Sequence, residues 1–199
     1  MQIQSAEFVI SCPDLAGCPD TELPEFAFIG RSNVGKSSLI NALTHKKDLA
    51  MVSSTPGRTR LINFFLINRN WTLVDLPGYG YAKASGQHRN KFNEFVSDYL
   101  TNRSQLSCVF VLIDSRHSPQ KNDLEFTQWL IECEIPFVLV FTKTDKIKPG
   151  VLARNIELFQ EAMSEFCDGL PRVYNCSAKT GEGRKQILAF IDQAIANYG

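Results

Sequence analysis

Short runs of apolar, β-branched and aromatic residues recur along the chain, and between them the apolar positions fall at helical spacing. Glu25–Ile29 (EFAFI) reads as a strand, and Lys36–Thr44, after a glycine-bearing turn, as a helix. Leu61–Ile67 and Trp71–Asp75 are strand-like runs separated by Asn68-Arg69-Asn70, which predicts a tight turn and an antiparallel hairpin. Phe92, Phe95, Val96, Tyr99 and Leu100 give Arg89–Leu100 one apolar helical face. Cys108–Asp114 (CVFVLID) and Pro136–Thr142 (PFVLVFT) are continuous apolar runs, the signature of parallel strands buried on both faces. Asn122–Cys133, Leu152–Phe166 and Gly183–Tyr198 read as helices, and Arg172–Cys176 as a short strand.

Strands alternating with helices predict a three-layer α/β fold whose mainly parallel sheet carries one antiparallel hairpin strand. No repeat or linker interrupts residues 25–199, so one domain is expected there. Residues 1–24 follow no clear period and are expected to be an N-terminal extension packed on or near that domain.

Composition narrows the class. The chain has 199 residues, 44% hydrophobic and 21% charged, which suits one ordinary globular domain. No apolar run approaches the roughly 20 residues of a membrane span, and the first residues lack the basic-then-apolar order of a secretory signal. A cytoplasmic protein with no membrane partner is expected. The six cysteines form no C-x-x-C pair, which predicts reduced thiols and no zinc framework. Lys+Arg equals Asp+Glu, so no global positive field draws nucleic acid, although a local basic face stays open.

Candidate chemistry begins at Gly30-Arg31-Ser32-Asn33-Val34-Gly35-Lys36-Ser37, which fits G-x-x-x-x-G-K-[ST] between a predicted strand and helix. Such a loop aims successive amide N–H groups, and the positive end of the following helix, at phosphate oxygens. Lys36 would reach the β- and γ-phosphates, and the Ser37 hydroxyl would meet Mg²⁺. Asp75-Leu76-Pro77-Gly78 closes the strand WTLVD. Its carboxylate is placed to hold magnesium through water, and its glycine N–H to approach the γ-phosphate. Between them, Ser54-Thr55-Pro56-Gly57-Arg58-Thr59-Arg60 reads as a loop. Thr59, nearer the following strand than Thr55, is the stronger candidate for a second magnesium ligand.

Base choice is legible further on. Thr142-Lys143-Thr144-Asp145 follows a buried strand, and a carboxylate there can accept from guanine N1–H and the 2-amino group. Adenine lacks both donors and would leave Asp145 unpaired, which is costly. Lys143 can lay its aliphatic stem along the base. Ser177-Ala178-Lys179 after the next strand adds a backbone N–H for guanine O6. The nucleotide-facing set is therefore expected to comprise Gly30 to Ser38 (Gly30, Arg31, Ser32, Asn33, Val34, Gly35, Lys36, Ser37, Ser38), Gly57, Arg58, Thr59, Arg60, Leu61, Asp75, Leu76, Pro77, Gly78, Thr142, Lys143, Thr144, Asp145, Cys176, Ser177 and Ala178. Lys36 and Thr59 are the candidates for contact with the reacting phosphate.

The ordered strings GRSNVGKS, TPGRTR, DLPGYG, TKTD and SAK resemble the TrmE-Era-EngA-EngB-septin group of GTPases. More narrowly, PEFAFIGRSNVGKSSLINAL, PGRTRLINFF, VDLPGYGYA and FTKTDK resemble the EngB (YihA/YsxC) family. The resemblance implies a P-loop, Ras-like G domain that binds GTP and GDP with Mg²⁺. It also implies a small bacterial GTPase that binds the large ribosomal subunit during assembly and is needed for normal septum formation. Asn33 stands where relatives with asparagine help hold K⁺. Thr142 replaces the asparagine of many GTPases.

Tyr79 occupies the place after D-x-x-G where Ras-like GTPases carry a water-orienting glutamine. Slow intrinsic hydrolysis is expected, with a structural or docking role for Tyr79 and Tyr81. Lys46, Lys47, Arg58, Arg60, Lys83, Arg89, Lys91 and Arg116 are candidate RNA contacts, equally readable as a solvated surface. A nucleotide-dependent adaptor with incidental hydrolysis is the competing reading, and a P-loop metabolic kinase a weaker one. A monomer is expected.

Overall fold

The computed structural model describes residues 1–50, 61–79 and 86–198, with side chains described over 1–50, 61–79 and 94–198. The strands are β1 (Ala6–Cys12), β2 (Glu25–Gly30), β3 (Ile62–Ile67), β4 (Trp71–Asp75), β5 (Leu106–Asp114), β6 (Phe137–Thr142) and β7 (Val173–Asn175). They form one sheet in the order β1-β3-β4-β2-β5-β6-β7. β3 is antiparallel to both β1 and β4, and the remaining adjacent pairs are parallel. The expected architecture, one reversed hairpin strand in a parallel sheet, is the one found.

Period-two alternation divides the buried strands between two cores. Phe26, Phe28, Leu73, Phe110, Leu112, Val138 and Val140 face one way and pack with Leu39, Ile40 and Leu43 of α1 (Lys36–Thr44) and Ile187, Leu188 and Ile191 of α5 (Arg184–Ala196). Ala27, Ile29, Val74, Val109, Val111, Ile113, Leu139 and Phe141 face the other. There they meet Val96, Tyr99 and Leu100 of α2 (Gly86–Asn102), Leu130 of α3 (Lys121–Glu132) and Phe159 and Met163 of α4 (Pro149–Ser164). These are the three layers.

β1 was not legible as a strand. Its register with β3 shifts between Phe8 and Ile10, and this irregularity breaks the alternation that marks a strand in sequence. Phe8, Val9 and Ile10 also stay exposed on this edge strand. Residues 1–24 thus contribute an edge strand, and Arg103 ties their end down. It donates to Pro19 O at 2.6 Å and pairs with the fully buried Glu25, which also accepts from Tyr99 Oη at 2.6 Å.

Candidate functional site

The carboxyl ends of the parallel strands, where ligands of open α/β sheets sit, bring the predicted residues together. β2 ends at Gly30, β4 at Asp75 and β6 at Thr142, with Phe28 opposite Asp75 and Asp114 opposite Thr142 in register. The chain leaves β2 into the loop that precedes α1. Asn33 and Gly35 adopt left-handed backbone there, at φ 63° and 102°. Gly30 admits no side chain, because a methyl group would stand 2.8 Å from Leu112 O. The first-turn N–H groups of α1 lack a side-chain cap, so the helix start is open to an anion.

Lys36 pairs with Asp75 through Nζ and Oδ1, and both side chains are largely buried. The predicted phosphate-contacting cation and the predicted magnesium-side carboxylate therefore share one spot. Gly78 presses on the same loop, since a methyl group added there would stand 2.6 Å from Gly30 O. Leu76 is buried, and its N–H bonds to Phe28 O at 3.0 Å, which fixes the exit from β4 beside β2.

The base-side loops are tied to one another and to the phosphate loop. Ser177 Oγ donates to Asp145 Oδ1 at 2.7 Å, and this bond holds the Asp145 carboxyl below the usual carboxylate range. The acceptor that guanine would need is thus kept ionised and aimed. Thr144 Oγ1 donates to Glu182 Oε2 at 2.6 Å, and Cys176 N–H to Phe141 O at 2.7 Å, closing the two loops together. Burial pushes the Cys176 thiol up to about 12, so it packs as a neutral side chain. Ala178 is exposed on the rim. All six cysteines are free thiols, as expected.

Lys143 crosses Gly35 and donates through Nζ to Asn33 O and, at 2.9 Å, to Asp114 Oδ2. Thr142 is buried and donates to Val34 O at 2.6 Å. Its hydroxyl is a strut to the phosphate loop. Arg184, the first residue of α5, donates to Ala42 O and Leu43 O at 3.0 Å, capping the far end of α1.

Three carboxylates were missed in the sequence. Asp114 ends β5 and binds both Lys143 and Arg116. Burial pushes its carboxyl up, but the hydrogen bonds from Arg116 and Lys143 outweigh that and hold it well below the usual range. A carboxylate closing an apolar strand, the signal used for Asp75, would have found it. Glu182 and Asp123 offer no such local signal. Arg116, a candidate RNA contact, has its guanidinium on Asp114. Lys46 and Lys47 are exposed. Leu61 is exposed at the entry to β3. Gly57, Arg58, Thr59, Arg60, Tyr81 and Lys83 lie outside the described residues, as do the side chains of Arg89 and Lys91.

Residues 25–143 match a family model described as "50S ribosome-binding GTPase". The probable GTP-binding protein EngB of Christiangramia forsetii is 54% identical over 192 residues, covering 96% of this chain and 97% of that protein. The chain belongs to the EngB family. The probable GTP-binding protein EngB of Porphyromonas gingivalis is 53% identical over 192 residues, covering 96% of each chain. A crystal structure of a probable GTP-binding protein EngB matches with TM-score 0.69 at 26% identity, over 87% of this chain and 99% of that one. As an EngB-family protein with a GTPase domain, the chain binds GTP and is a GTP-hydrolysing enzyme in general class.

Magnesium, which GTPase families generally use, fits the donors present. A serine hydroxyl at Ser37 and one carboxylate at Asp75 are hard oxygen ligands, and no cluster of three or more His, Cys, Asp or Glu occurs among the described residues. Mg²⁺ is typically held this way, by one or two side chains, waters and substrate phosphates. No helix among the described residues is long and apolar enough to cross a membrane.

Proposed function

We propose that this EngB-family protein is a nucleotide-dependent switch that hydrolyses GTP slowly. It acts in assembly of the large ribosomal subunit and through that supports normal cell division and septation. The observation that carries the slow step is Tyr79. Its hydroxyl is buried and donates to Asp123 at 2.9 Å, so the residue after D-x-P-G is an anchor and does not orient water. The family description, a GTPase that binds the 50S particle, supports the ribosomal partner.

In this reading Gly30 to Ser38 hold the phosphates, Thr142 to Asp145 with Cys176, Ser177 and Ala178 hold guanine, and Asp75 to Gly78 sense the γ-phosphate. Lys36 and Thr59 touch the reacting phosphate. Ser37 and Thr59 bind Mg²⁺, with Asp75 acting through water, and the bound metal neutralises phosphate charge. Gly57, Arg58, Arg60 and Leu61 complete the nucleotide-facing loop, and Asn33 helps hold K⁺. Residues 25–199 are the G domain and 1–24 an extension packed on it. The protein works in the cytoplasm as a monomer.

Co-sedimentation with separated ribosomal particles in GDP, GTP and a non-hydrolysable analogue tests the partner. Binding to the large subunit that depends on nucleotide and weakens with salt is expected. Binding indifferent to both contradicts the proposal. The buried Tyr79 also favours an adaptor with incidental hydrolysis. Single-turnover hydrolysis unaffected by large subunits would select that reading over a timer.

A further inference from the structure

Asp123 lies in the first turn of α3 and is 1% exposed. A carboxylate that deep is costly unless it is paired and hydrogen-bonded. Its partners come from two different segments of the nucleotide site. Arg31 Nε donates to Oδ1 and Oδ2 at 3.1 and 3.2 Å, and Tyr79 Oη donates to Oδ1 at 2.9 Å. Arg31 directly follows Gly30, and Tyr79 directly follows Gly78. Those two glycines meet backbone to backbone, since a Cβ on Gly78 would stand 2.6 Å from Gly30 O and 3.5 Å from Ser32 N. The Tyr79 ring is clamped as well, stacked on Phe126 with centroids 4.4 Å apart and planes 20° apart. Phe126 sits one helical turn beyond Asp123 on the same face of α3.

We infer that Asp123 is a positioning residue. One buried carboxylate on α3 binds the residue after each glycine and so fixes the seam between the phosphate loop and the segment that senses the γ-phosphate. The inference rests on the GTP-binding reading of the site and adds a residue outside it. Asp123 acts through Gly78 and Arg31. A diphosphate ends before the Gly78 seam, whereas a γ-phosphate must meet the Gly78 N–H there. Fixing that N–H before binding removes an ordering cost that only the triphosphate state would otherwise bear. The seam anchor should therefore set the affinity ratio of GTP to GDP and leave GDP affinity itself nearly alone.

The test is direct titration of GDP and a non-hydrolysable GTP analogue, both with Mg²⁺, into the parent protein, Asp123→Asn and Tyr79→Phe. Tyr79→Phe keeps the stack on Phe126 and removes only the hydroxyl, so it reports even if Asp123→Asn is poorly folded; thermal melts of both variants identify that case. The expected result is analogue affinity about 5- to 10-fold weaker in Tyr79→Phe, with GDP affinity within about 2-fold of parent. Equal losses for both nucleotides, or analogue affinity unchanged in Tyr79→Phe, overturn the inference. Parent protein without tight GDP binding would instead strike at the GTP-binding reading, so the two failures are distinguishable.

Discussion

Thr142 Oγ1 donates to Val34 O at 2.6 Å, so the last residue of β6 holds the middle of the phosphate loop. The same strand end continues into Lys143 and Asp145. Phosphate grip and base choice therefore share one rigid edge of the sheet, and a change at one end is felt at the other.

Thr142→Val removes that hydroxyl at nearly constant volume and leaves Val34 O without its donor. A loss of about 1–3 kcal/mol in folding stability is expected, the usual cost of an unsatisfied buried group. Denaturant unfolding measures it. GDP affinity should fall with it while guanine preference is kept, and Thr142→Ser should restore most of both.

Asp114 holds Lys143 against the phosphate loop, and Arg116 shares the carboxylate. Asp114→Asn is expected to weaken GDP binding by about 10-fold. It should also cost about 1–2 kcal/mol of stability, kept modest because Arg116 reaches solvent. The sign with pH follows from the lowered Asp114 pKa. A carboxyl depressed in the folded state stabilises fully above its unfolded value and loses that contribution as pH falls through the folded one. The parent's advantage over Asp114→Asn should therefore stay flat from pH 8 to 5 and shrink only below about pH 4. Chemical unfolding across that range measures it, and a difference that already declines between pH 7 and 5 would contradict the assignment.

Gly183 precedes α5 at φ 78°, and a methyl group there would stand 2.1 Å from Asn175 O. Asn175 is backbone at the end of β7 and cannot swing away. Gly183→Ala should cost about 2–4 kcal/mol, from left-handed strain plus overlap. Because the same turn carries Glu182 against Thr144, GDP affinity should drop as well. Calorimetric melting and GDP titration would show both effects.

Much of this was legible because buried parallel strands and glycine-flanked helices leave strong local marks. The bounds of α1 and β4 matched the sequence reading residue for residue. The phosphate loop and both base-side loops fell at strand ends as their motifs require. α4 begins at Pro149, three residues before the predicted Leu152, because proline is at home in a first helical turn. What stayed hidden was long-range. Arg31 and Asp123 lie 92 positions apart, and no spacing rule joins them. Tyr79 looked like a lost glutamine in sequence, and only the fold showed what its hydroxyl holds.

The most direct measurement is titration of GDP, ADP and XDP into the parent protein and Asp145→Asn. A guanine preference over adenine of at least about 10³-fold is expected in the parent, because an acceptor that the bound base covers and leaves unpaired penalises adenine heavily. Asp145→Asn should move the preference toward XDP. Equal affinity for GDP and ADP, unaltered by the substitution, would contradict this.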